Sequence, residues 1–153
     1  MLSGMERGQT VADFSNQSLQ PADAILIASD LQFMAVLTNL NLFNNNIGDD
    51  GAKAIAEALK VNPVLTELNL QDNSIGDDGA KAIAEALKVN PVLTMLNLAW
   101  NSIGPEGAMA IAEALKVNPV LTKLYLYNNN LGDAGEKVVR KAVKNRSGFV
   151  LEL

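Results

Sequence analysis

The side chains here that could do chemistry fall into two sets, carboxylates in pairs and aromatics in a row. Asp49-Asp50 and Asp77-Asp78 are adjacent acids that could hold a cation, and Glu57, Glu85 and Glu113 recur at a fixed spacing. A calcium loop needs oxygen ligands at alternate positions around a tight turn, and Asp-Asp-Gly lacks that spacing. Acids just ahead of a helical run read instead as an N-cap and first-turn residues, with Asp77 as the cap. The glutamates interleave with Lys53, Lys60, Lys81 and Lys88, as on a solvated helix face, and Lys81 and Glu85 stand at i, i+4. The chain has no histidine and no cysteine, which removes the commonest general base, the commonest metal ligand and any disulfide or thiolate site. No phosphate-cradling glycine loop or nucleophile elbow occurs. The expectation is no catalytic residue, no metal and no cofactor.

The aromatics point to binding instead. Trp100, Tyr125 and Tyr127 are all the tryptophan and tyrosine in the chain, and exposed residues of these types anchor protein interfaces. What brings them together is a repeat. Leu37–Val64 reads LTNLNLFNNNIGDDGAKAIAEALKVNPV; Leu65–Val92 differs from it at four of 28 positions, and Leu93–Val120 differs from the second copy at six. A fixed period of this size is the mark of a solenoid, whose units bury their apolar faces only against one another.

Within one copy the apolar period switches. Leu68-Asn69-Leu70 alternates like a short half-buried strand, whereas Ala80, Ile83, Ala84 and Leu87 lie on one face of a helix. Pro91 ends that helix and pushes Asn90 to extended geometry. Strands joined through helices must run parallel. The expected fold is α/β: one parallel sheet on the concave face of an arc and helices on the convex face.

The motif LTELNLQDNSIGDDGAKAIAEAL resembles the leucine-rich repeat L-x-x-L-x-L-x-x-N, in the 28-residue form of the ribonuclease-inhibitor-like class, with copies starting at Leu37, Leu65, Leu93 and Leu121. The resemblance implies a right-handed α/β horseshoe and a structural ladder of Asn45, Asn73, Asn101 and Asn129, whose amides satisfy backbone groups in neighbouring loops. The expected organisation is a single solenoid over 1–153. Residues 9–36 form a degenerate N-terminal capping repeat with Pro21 opening its helix; 37–64, 65–92 and 93–120 are near-identical repeats; 121–153 hold a C-terminal repeat and a final edge strand, Phe149–Leu153. Copies this alike arise by recent duplication or by consensus engineering, and the degenerate ends with no cysteine favour the engineered origin.

Variation between copies falls on the outward positions of the strand, the two residues after it, and the helix start, while buried positions are expected not to vary. The concave row therefore offers Phe43, Glu67, Gln71, Asp72, Met95, Trp100, Lys123, Tyr125 and Tyr127 as partner-binding residues.

A net charge of -5 excludes a nucleic acid or an anionic membrane as the expected partner, since both attract clustered Lys and Arg. No signal peptide and no bilayer-length apolar run is present, so the expected setting is cytoplasmic. The function read from the sequence is a non-enzymatic scaffold or protein-binding module, as most members of the resembled family are. The alternatives are a structural array with no natural ligand and, from a similarity to GTPase-activating proteins of nuclear transport, a small-GTPase regulator. Monomer, or weak dimer through the C-terminal edge, is the expected state.

Overall fold

The computed structural model describes residues 3–153; Met1 and Leu2, the start of the stretch read as lacking a signal peptide, lie outside them. Six strands, β1 (Val11–Asp13), β2 (Asn39–Asn41), β3 (Glu67–Asn69), β4 (Met95–Asn97), β5 (Lys123–Tyr125) and β6 (Val150–Glu152), pair in chain order as one parallel sheet. Five helices alternate with them: α1 (Pro21–Leu31), α2 (Gly48–Val61), α3 (Asp77–Val89), α4 (Pro105–Val117) and α5 (Gly132–Val143). Each helix packs on the next, so the sheet lines the concave side and the helices the convex side.

Strand pairing follows the repeat. Leu40, Leu68, Leu96 and Leu124 lie opposite one another across the sheet, and Leu151 closes the row in a register one residue short of the period. Every strand is three residues long, so the expected edge strand Phe149–Leu153 shortens to Val150–Glu152 and Leu70 falls just past the end of β3. The ladder nevertheless continues past it: Leu70 N–H donates to Asn97 O at 2.8 Å, and Asp72 N–H to Ala99 O at 3.0 Å.

The core is a set of stacked columns. Leu42, Leu70, Leu98 and Leu126, with Ile55, Ile83 and Ile111 from the helices, are all fully buried. Alanine and glycine let the helices approach closely. A Cβ on Gly79 would come within 2.7 Å of both Asp49 Oδ1 and Ile75 Cγ2.

That contact overturns the expected helix start. The N-cap of α3 is Gly76, not Asp77, which is the first helical residue. The capping carboxylate comes from the previous repeat: Asp49 Oδ1 accepts from Gly76 N–H (2.7 Å) and Gly79 N–H (2.9 Å). Asp77 does the same for α4 through Gly104 (2.8 Å) and Gly107 (2.7 Å). An anion at a helix N-terminus is stabilising whichever unit supplies it. Where the preceding repeat holds Pro21 or Pro105 at this position no carboxylate is available, and the following glycine turns left-handed, Gly48 at φ 61° and Gly132 at φ 66°. Position 49/77/105 varies between copies and yet joins one copy to the next, so variation does not mark freedom from stacking.

Lys81 likewise pairs across repeats, with Glu106 at 2.5 Å, rather than with Glu85. Glu85 is held by Lys88 at 2.5 Å. Both pairs are exposed, and exposed pairs contribute little to stability.

Candidate functional site

Two amide ladders hold the sheet face in place. In the loops after the strands, Asn73 is fully buried; its Nδ2 donates to Leu42 O (2.8 Å) and Gln71 O (3.1 Å), and its Oδ1 accepts from Ile47 N–H (3.4 Å). Asn45 and Asn129 are half-buried and make the same kind of bonds, Asn45 Nδ2 to Phe14 O (2.9 Å) and Asn129 Nδ2 to Leu98 O (2.9 Å). Asn101, buried between them, reaches Leu70 O at 3.0 Å.

The second ladder was not foreseen from the sequence. Asn62, Asn90 and Asn118 are buried at the helix C-termini, where their Nδ2 groups donate to Leu31 O (2.8 Å), Leu59 O (2.7 Å) and Leu87 O (2.7 Å) of the preceding repeat. Each Oδ1 takes two N–H groups of its own turn, as Asn90 does from Val92 (3.0 Å) and Leu93 (2.8 Å). One period further on Arg146 replaces the asparagine, donating to Leu121 O and lying 4.7 Å over the Phe149 ring. An identical Asn before Pro63, Pro91 and Pro119 was the available signal, and its extended backbone explained only the proline.

On this frame the concave face is graded along the arc. At its N-terminal end Val11, Asp13, Asn39, Asn41, Glu67 and Met95 line an open trough of about 260 Å³. Glu67 is exposed and accepts from Asn39 Nδ2 at 2.6 Å. Asp13 accepts from Ser15 N–H at 2.9 Å, and that bond holds its carboxyl below the usual range. Gln71 is half-buried and takes Asn97 Nδ2 at 2.9 Å. Phe43, Met95, Tyr125 and Tyr127 are half-buried, Lys123 and Asp72 exposed. Ala99 departs from the expected outward row: it is fully buried, although Phe43 and Gln71 occupy the same position in other copies. A buried position therefore does vary.

The turn after each strand is left-handed, at Asn16 (φ 58°), Asn44 (52°), Asp72 (58°), Trp100 (55°) and Asn128 (55°). Asn and Asp tolerate this region because their short polar side chains bond locally, whereas a bulky residue there costs about 1–2 kcal/mol. Trp100 breaks the series and is still 54% exposed. Its backbone N–H donates to Tyr127 O at 3.0 Å, which places it beside the tyrosine turn.

Among the described residues no group of three His, Cys, Asp or Glu could hold a metal ion, and no helix is long and apolar enough to cross a membrane.

A parallel sheet with alternating helices at a 28-residue leucine period is a leucine-rich-repeat solenoid. The family model for the TMOD/LMOD leucine-rich domain matches residues 37–150, and the chain belongs to that family. A solved structure described as the leiomodin-1 actin-binding site 2 superposes with a TM-score of 0.78 at 28% identity, covering 94% of this chain and 83% of its own. The tropomodulin C-terminal domain of Caenorhabditis elegans superposes with a TM-score of 0.77 at 14% identity, over 94% and 87% of the two chains, and shows the fold alone. No curated protein matches the sequence. The leucine-rich repeat thus stands, in a domain of the tropomodulin and leiomodin type, and these matches support neither the ribonuclease-inhibitor-like class nor an engineered origin.

Proposed function

We propose that this chain is a non-enzymatic, cytoplasmic protein-binding domain whose partner is actin. The observation that carries the reading is membership of the tropomodulin and leiomodin family, together with a likeness at 28% identity to a leiomodin domain described as an actin-binding site. The contact surface is the concave face, through Phe43, Glu67, Gln71, Asp72, Met95, Trp100, Lys123, Tyr125 and Tyr127. Phe43, Glu67, Gln71, Asp72, Met95 and Trp100 differ between three copies that share nearly every other residue, and Lys123, Tyr125 and Tyr127 hold concave-face places in the divergent fourth copy. The asparagine ladder of Asn45, Asn73, Asn101 and Asn129 keeps that face in register.

The test is direct binding of the chain to monomeric and filamentous actin. A Trp100→Ala, Tyr127→Ala double variant should bind at least about tenfold more weakly, because central aromatic anchors are worth about 2 kcal/mol or more each. Absence of binding by the unaltered chain ends the actin reading. Equal binding by the double variant moves the contact off the concave face.

Self-association, where it occurs, runs through β6. Val150 is 37% exposed on this strand, whose outer edge has no neighbouring strand among the described residues. Unpaired edges recruit a second strand unless charge or cover blocks them. An isologous dimer pairing β6 with its copy should disappear in a folded Val150→Lys monomer, read by sedimentation velocity. Strict monomer behaviour of the unaltered chain at high concentration would count against it.

A further inference from the structure

This inference rests on the protein-binding reading above and specifies what the partner presents. Four of the five left-handed turns are closed by Asn or Asp, so the fold itself does not require a tryptophan at the fifth. The indole of Trp100 is also not drawn into the core, being more than half exposed. One strand over, the Asp72 carboxylate is exposed and, among the described residues, takes part in no hydrogen bond or ion pair. The bond from Asp72 N–H to Ala99 O at 3.0 Å fixes the two turns side by side. Ala99, buried in the row between Gln71 and Tyr127, adds no bulk beneath them. The face as a whole is acidic, with Asp13, Glu67, Asp72 and Glu152 against Lys123 alone.

We propose that Asp72 and Trp100 together seat an arginine presented by an exposed segment of the partner protein. The free carboxylate takes the charge, and the indole face takes the flat guanidinium, which stacks on aromatic rings as a lysine ammonium cannot. The left-handed backbone of Trp100 carries a ring that is more than half exposed, in the turn next to that of the acid.

Trp100 is the only tryptophan in the chain, so its emission reports on this position alone. Titration with a hexa-arginine peptide should give a saturable change in emission, and a hexa-glutamate peptide should give none. Asp72→Asn should weaken the arginine response at least about threefold. Asp50→Asn, which removes the same charge outside the sheet face, should leave it unaltered. Trp100→Asn should unfold at a higher midpoint than the unaltered chain while losing the peptide by calorimetry, separating binding from folding. An unsaturable response, or equal weakening by the Asp72 and Asp50 changes, overturns the proposal. A chain that answers hexa-arginine in this way but ignores actin removes the actin reading and keeps this one. A chain that binds actin equally well with Asp72→Asn and Trp100→Asn does the reverse.

Discussion

Leu70→Ala should lower the unfolding free energy by about 2–5 kcal/mol, measured by urea or guanidinium titration. Leu70 is fully buried in a column whose members above and below, Leu42 and Leu98, are fully buried as well. Truncation therefore opens a gap between two repeats that each keep their own leucine, and neither can move inward without breaking the backbone bonds from Leu70 N–H to Asn97 O and from Leu42 N–H to Asn69 O. In a solenoid the stability is a sum of unit and neighbour terms, so loss at a central unit weakens two interfaces. Leu151 offers the contrast. It is half-buried on the terminal strand with a neighbour on one side only, so Leu151→Ala should cost clearly less. A loss below about 1 kcal/mol for Leu70→Ala would contradict the burial of the column.

The same contrast explains how much of the fold the sequence carried. Leu68 at the centre of its strand and Ile83 on the inner face of its helix are legible because their periods, two and 3.6, are properties of one segment. Contacts between segments leave no such trace. Asp49 reads as the start of its own helix because its neighbours in sequence are helical, yet its carboxylate belongs to the next one. Near-identical copies also hide roles by making every residue equally constant. Val61, Val89 and Val117 recur in each copy and are 63%, 59% and 62% exposed, while the asparagine after each is buried. Identity between copies could not separate them. Only the need of a buried helix end for hydrogen-bond partners could have done so. The concave row was legible in outline, because alternate strand residues face one side. The left-handed turn of Trp100 was not, since backbone preference disfavours a bulky residue there.

Asn101 should show the second large effect. Its Nδ2 reaches Leu70 O (3.0 Å), Leu98 O (3.0 Å) and Ala99 O (3.1 Å), and its Oδ1 accepts from Asn73 N–H (3.1 Å) and Ile75 N–H (2.9 Å). One side chain thus ties the loops of two repeats together, at 9% exposure. Asn101→Ala strands two buried N–H donors at once and should cost about 2–4 kcal/mol, given roughly 1–3 for each unsatisfied group and some relaxation of the loop. Asn101→Asp separates donor from acceptor. The aspartate keeps the acceptor for Asn73 and Ile75 but sets a carboxylate against three carbonyl oxygens, which together with burial must raise its pKa above the ordinary ~3.9. A group whose folded pKa is raised stabilises while it is protonated, and that contribution is lost as pH rises through the folded value. Below about pH 4 the neutral acid can donate one hydrogen bond to the carbonyl cluster; at pH 7 it is either charged there or held neutral at a cost. The deficit of Asn101→Asp against the unaltered chain should therefore be larger at pH 7 than at pH 4, with Asn101→Ala showing no such slope. A pH-independent deficit for the aspartate, or an alanine variant as stable as the unaltered chain, would mean that the amide does not bridge these loops in solution.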